Sequence, residues 1–440
     1  MSAVPGGLST DQQPPMTVPL RYFLVGFAFL LAGGGVGLAG LLDSAPGLAA
    51  LAHVHLLLVG WVCLTIMGAM TQFVPVWSNV PLHSRRLANV TLALVTVGVA
   101  GLAWSFLAAR PHWIHGFGGI LLTGIWTFAY NLGRTLARVE RFDATEAHFA
   151  FALGSFAVVG TLGFLLALDF TMPVFPAAGV TRPQVVGAHA TLAVFGAVLA
   201  TVFGALYQLA TMFTQTELHG VDGHLARVEY TYPAGVVALA TGRLLAVRWL
   251  ALVGAALVVA GVVAFAVVLA RKLAETQVER TPMLTRYAVV AVALVAWSVS
   301  TATAWVRDPL SRATLFGPEV GVHLLFVGVV GFVVAGSLYH VVPFVVWVHQ
   351  YSDRLGFEPV PMIDDLYDDR LAAVDWTLLV VGALALVLSR AGVLPEVVAV
   401  VGGVLLLVGF VLFAANLLGV VWRHGRVRSG WLGGRPEDAD

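Results

Sequence analysis

Along this chain, apolar runs of helical length alternate with short segments of charge, proline and glycine. The runs fall at about 21–42, 51–76, 87–109, 114–136, 147–169, 184–212, 231–247, 249–270, 284–306, 319–348, 371–389 and 396–422. A helix needs about 20 such residues to cross the roughly 30 Å hydrocarbon core of a bilayer. The pattern therefore predicts about twelve transmembrane helices. The seventh run is the least regular, being short, containing Arg243 and being separated from the eighth by little more than Arg248. A re-entrant segment there would invert everything downstream.

Charge decides between the two countings, because cytoplasmic loops collect Lys and Arg. With twelve spans and both termini inside, 17 basic residues face the cytoplasm and 7 face outward. Dropping one span puts the basic stretch WRHGRVRSG on the opposite side from Arg134, Arg138 and Arg141 and spoils that asymmetry. The prediction is an all-α polytopic protein of the cell membrane with both termini cytoplasmic. It has a polar tail at 1–20, a single membrane domain at 21–423 and a cytoplasmic tail at 424–440. Met1 to Pro19 carries no basic n-region or cleavage site, so the first span is expected to be retained. The acidic segment from His349 to Arg370 (DDLYDD) reads as a solvated connector.

Composition agrees. Of 440 residues 59% are hydrophobic and 11% charged, where soluble domains carry roughly 25% charge. Lys+Arg and Asp+Glu both total 24, so nothing in the net charge points to a nucleic-acid partner; the lipid bilayer is the partner implied. A lone Cys63 excludes a disulfide framework and a Cys-ligated cluster.

Three segments align without gaps: HVHLLLVGWVCLTIMGAMTQFVPVW from His53, AHATLAVFGAVLATVFGALYQLATMF from Ala188 and GVHLLFVGVVGFVVAGSLYHVVPFVVW from Gly321. Their offsets are 136 and 132 residues. Gly60, Gly196 and Gly328 form one column, Gly68, Gly204 and Gly336 another, and Gln72, Gln208 and His340 a third; Tyr207 matches Tyr339 and Pro75 matches Pro343. Small residues recur at helix crossings in any membrane bundle, but that does not explain the polar column. Three pseudo-repeated four-helix units are expected, at about 21–145, 146–283 and 284–423.

Each repeated helix carries histidine near its outer end: His53 and His55 on the second, His189 on the sixth, His323 on the tenth. His115 opens the fourth helix on the same side. Intramembrane ionisable groups are costly and mark sites, and the apolar runs offer almost no Asp, Glu or Lys as partners. Neutral imidazole bound to a metal answers both points. His53 and His55 lie about 200° apart around a helix, so one ligand from that helix is expected. The repeat registers His55 with His323 and His189 with His53. Two histidines facing each other, with the glycines below leaving room for a flat macrocycle, suit bis-histidine haem ligation. His83, His219, His224 and His424 fall in loops and read as solvated, and the glycine-rich AGGGVGLAG of the first helix reads as close packing.

Twelve helices in three arcs, with histidines on the second, sixth and tenth, resemble the catalytic subunit of haem-copper oxidases. The runs GVHLLFVG...GSLYHVVP and HVHLLLVGW...GAMTQFVP are most similar in character to the cbb-class oxidases and their nitric oxide reductase relatives. The resemblance implies one low-spin haem b held by His323 and by His55 or His53, with copper near His189. It also implies respiratory subunits, or a cytochrome or cupredoxin electron donor, as partners. The chain departs from that pattern in two places. Gly321 stands where the family has its high-spin haem ligand, and no histidine lies between Tyr230 and Ala270 to supply the His-His copper pair. Tyr230 and Tyr232 then read as interfacial belt residues. The expectation is a haem protein for electron transfer or gas sensing. Two alternatives are an active divergent oxidase, nitric oxide reductase or NnrS-like nitric oxide tolerance protein, with His53, His115 or His189 as replacement ligands, and a secondary transporter.

Overall fold

The computed structural model describes residues 14–425; the rest of the expected tails, with most of WRHGRVRSG, lies outside them. Among the described residues ten helices are long and apolar enough to cross a membrane. They are α1 (Thr17–Leu41), α2 (Ala49–Trp77), α3 (Arg85–Leu107), α5 (Ala144–Leu168), α6 (Arg182–Thr214), α8 (Arg248–Ala274), α9 (Pro282–Arg307), α10 (Glu319–Gln350), α11 (Asp369–Arg390) and α12 (Val397–His424). Two more helices complete the order. α4 (Pro111–Leu136) has 26 residues but a more polar composition. α7 (Tyr232–Leu244) has 13, which spans about 20 Å and falls short of a bilayer core. A short helix, Asp222–Glu229, leads into α7.

Helices consecutive in sequence pack side by side, and α12 returns to α1, closing a ring. Burial rises toward its middle. Of the apolar window of α6, 78% is enclosed, and of α10 61%, against 28% for α1 and α11. The same three long helices depart from ordinary helical geometry. Each contains a π-helical stretch, His55–Cys63 in α2, Leu192–Leu199 in α6 and Leu324–Gly331 in α10. Such i→i+5 segments are rare and concentrate at functional sites. All three begin within a residue of the aligned register, at His55, three residues after His189 and directly after His323.

The glycine columns do not make room for a macrocycle; they make room for helices. A Cβ on Gly60 would strike Phe29, one on Gly196 Ser155 and one on Gly328 Ala293. A turn or two further on, Gly68 meets Tyr22, Gly204 meets His148 and Gly336 meets Arg286. The partners on α1, α5 and α9 are seven residues apart in every case, so three helix pairs cross in one register. Backbones that approach this closely gain dispersion contacts that lipid cannot match.

Start signals differ at the two ends. Ser84, Thr281 and Asp368 cap α3, α9 and α11 through their side chains, and Asp143 caps α5 in a capping box with Glu146. These satisfy amides at the end away from the histidines. The segment from His349 to Arg370 is more than a solvated connector: Leu366 and Tyr367 are buried, and the Trp347 indole donates to Pro361 O at 2.7 Å.

Candidate functional site

The histidine end of α2, α6 and α10 gathers half-buried rings on neighbouring helices. His53 Nδ1 sits 2.8 Å from Gly33 O of α1, against Gly37, whose hydrogen in place of a side chain lets the ring lie on the helix. His55 Nδ1 is 2.8 Å from Leu51 O, and its ring tilts against Phe106 at 5.4 Å. His189 Nδ1 is 3.2 Å from Val159 O, beside Gly163. An Nδ1–H donated to a carbonyl fixes the tautomer and leaves the Nε2 lone pair outward, as in metal-ligating imidazoles. His323 differs, since its buried Nδ1 has no partner.

His323 lies within electrostatic reach of His53, with Arg390 and Glu319 nearby. His189 lies within reach of His55. Repeat register matches His55 with His323; in the structure the His53 ring lies against Gly33 and Gly37 of α1 and the His55 ring against Phe106 of α3. His53, His55 and His189 each keep an Nε2 lone pair when Nδ1–H is given to its carbonyl, so the residues present could ligate a haem iron. Among the described residues no group of three or more His, Cys, Asp or Glu could hold a metal ion. His115 is half-buried on α4 with an unpartnered Nδ1.

At the other end of the same helices lie polar residues that the apolar pattern hid. Arg286 of α9 forms a fully buried ion pair with Asp375 of α11, and the Tyr339 hydroxyl donates to the same carboxylate. Asn416 of α12 donates to Tyr339 Oη at 3.1 Å and to Asp368 O at 2.8 Å. The Arg286 guanidinium lies 4.5 Å from the Tyr339 ring centroid. In the corresponding place on α5 and α6, His148 Nε2 meets Glu229 Oε1 at 2.7 Å, while Tyr207 donates to Glu229 Oε2 at 3.3 Å. With His148 Nδ1 2.6 Å from Ala144 O, both ring nitrogens face acceptors, as in an imidazolium ion. The Tyr207 and Tyr339 column was the one sequence signal for these networks.

Several smaller expectations change. Tyr232 is no interfacial belt residue: it is fully buried and donates to Phe195 O at 2.7 Å, whereas Tyr230 is exposed. His83 stacks edge-on against Tyr130 at 5.6 Å, and His424 Nδ1 lies 2.9 Å from the Tyr351 hydroxyl. His224 sits exposed on the short helix before α7. Arg243, the irregularity in the seventh run, is buried. It donates to Thr191 Oγ1 at 2.7 Å and Pro309 O at 3.0 Å, so it braces α7 against α6.

No family model matches the chain, and no curated protein matches it.

Proposed function

We propose that this chain is an integral membrane haem protein in which His53 of α2 and His323 of α10 are the axial ligands of one low-spin haem b. The observation that carries this reading is the gathering of half-buried imidazoles at one end of α2 and α10, His53 tied to Gly33 O through Nδ1 and His323 with a buried Nδ1 that makes no hydrogen bond of normal geometry. His55, which the repeat registers with His323, is the alternative ligand from α2. The scaffold is twelve helices in three four-helix units, like the haem-copper oxidase catalytic subunit. Support comes from three matched π segments and from helix crossings that repeat with their partners 126 and 138 residues apart. Both termini lie in the cytoplasm and the histidines face outward, as the basic residues suggest.

When bound there, a haem supplies a one-electron couple for respiratory electron transfer or a ligand site for sensing diatomic gas. The chain's part is to hold two neutral imidazoles in fixed tautomers and to keep water out by close helix packing. A reduced-minus-oxidised absorption spectrum of the purified protein tests it: sharp low-spin b-type bands are expected, and a colourless protein after haem-replete expression rejects it. Reporter fusions after Arg248 and at Asp440 test the topology.

One observation favours a second reading, an enzyme of the oxidase or nitric oxide reductase type. His55 and His189 lie within electrostatic reach of each other on α2 and α6, where copper would be held. Stoichiometric copper, with oxygen or nitric oxide consumption lost in His189→Ala, would select it. A transporter has less to stand on, since α2, α6 and α10 run unbroken, whereas transporters of that kind use discontinuous helices.

A further inference from the structure

Between α2, α6 and α10 lies a cavity of about 80 Å³. Its wall repeats in register: Thr65, Thr201 and Val333 occupy one level, and Ala69, Ala205 and Ser337 the next. It extends on α2 from Thr65 to Trp77, about 18 Å at helical rise. The space is therefore long, axial and about one small molecule wide.

The chemistry of the wall narrows what it holds. Two of its hydroxyls are already engaged, Thr201 with Ala197 O at 2.7 Å and Ser337 with Tyr287 at 2.9 Å. Two buried polar atoms have no partner, Thr65 Oγ1 at one end and Trp77 Nε1 at the other. A buried water needs two to four polar partners, and single groups at opposite ends cannot hold one. No charged side chain lines the space, so an ion would be stranded. The far mouth is narrowed by Phe73 stacked on Trp77 at 4.9 Å and Trp77 stacked on Phe149 at 6.1 Å.

We propose that this axial cavity is a binding site for small, uncharged, apolar molecules of diatomic or noble-gas size. The site stands whether or not the histidine end holds haem. Dry apolar cavities of comparable size take up xenon, which is the probe to use on the full-length protein. Crystals under xenon pressure should show anomalous scattering between Thr65 and Trp77, and xenon-129 exchange should report saturable binding. Filling the space with Ala69→Leu and Ala205→Leu together should weaken xenon binding at least tenfold. The proposal is overturned by a wild-type map with no xenon in the cavity, by ordered water or a co-purified acyl or isoprenoid chain occupying it, or by unchanged xenon binding in a folded double variant. The wild-type map decides the matter if that variant fails to fold.

Discussion

Tyr339 and His323 stand on one helix, about 24 Å apart, in opposite circumstances. Around Tyr339 guanidinium, carboxylate, phenol and amide close on one another, with the Arg286 Nε alone left without a partner. Around His323 an imidazole nitrogen is buried without any partner. The same contrast holds on α6, where Tyr207 shares Glu229 with His148 while His189 keeps one ring nitrogen unused. A buried network that satisfies itself specifies how helices meet. Groups left with spare valence, here on half-buried rings, mark where something else completes the set. Self-sufficiency, more than polarity, separates scaffold from candidate site here.

The sharpest way to break this contrast is at the histidines. His323→Ala and His53→Ala should each abolish the low-spin haem spectrum, because a low-spin haem needs both axial ligands, while melting in detergent without haem stays close to wild type. Retention of normal bands in both variants would remove the assignment. The opposite end should respond the other way round. Asp375→Ala strands a buried guanidinium and should cost about 3–5 kcal/mol, seen as a large fall in melting temperature, with haem bands at their usual position in whatever protein folds. Replacing Arg286 and Asp375 together by Met and Leu should recover most of that loss. No recovery would mean that the network does more than hold helices.

A smaller effect tests the polar rim beyond the helices. Burial pushes the Asp222 carboxyl up, but the His219 amide and the Arg271 and Lys272 side chains outweigh it and bring it down to about 2. A depressed carboxyl stabilises the fold above its unfolded value near 4, and the stabilisation is lost as pH falls through the folded one. Asp222→Asn should therefore cost about 2 kcal/mol at pH 7, and the gap from wild type should close between about pH 4 and 2. A gap independent of pH would assign the effect to packing. The smallest change is expected from His189→Ala, which should leave the low-spin bands almost untouched; their loss would make α6 the ligand helix in place of α2.

Helix positions were legible because apolar length is a long-range signal that neither turn chemistry nor tertiary contact can disguise. The observed helices α1 to α12 begin and end within a few residues of the runs. The site was legible only in part. His53, His55, His189 and His323 stand out against an apolar background, but which ring faces which helix depends on the π turns, and nothing in composition announces those. Asp375, Glu229 and Arg286 escaped notice because each lies near the boundary of an apolar run, where one charge looks like the edge of a loop. Their pairing needs residues 22 to 89 positions apart, beyond any local pattern. The glycine columns were visible, but their meaning came only from Phe29, Ser155 and Ala293 on the facing helices.

The π stretches leave α2, α6 and α10 working like shafts with a phase offset between their two ends. Each wider turn takes up one residue more than an α turn, so the histidine end is rotated relative to the glycine crossings by an amount fixed by how many residues the stretch contains. Deleting one residue within Leu324–Gly331 would let the chain return to ordinary winding, and the narrower turn would offset most of the roughly 100° carried by the lost residue, so His323 would keep nearly the same face while Gly336 stays locked on Arg286. The stretch is slack in the shaft, absorbing a residue of length before it alters direction.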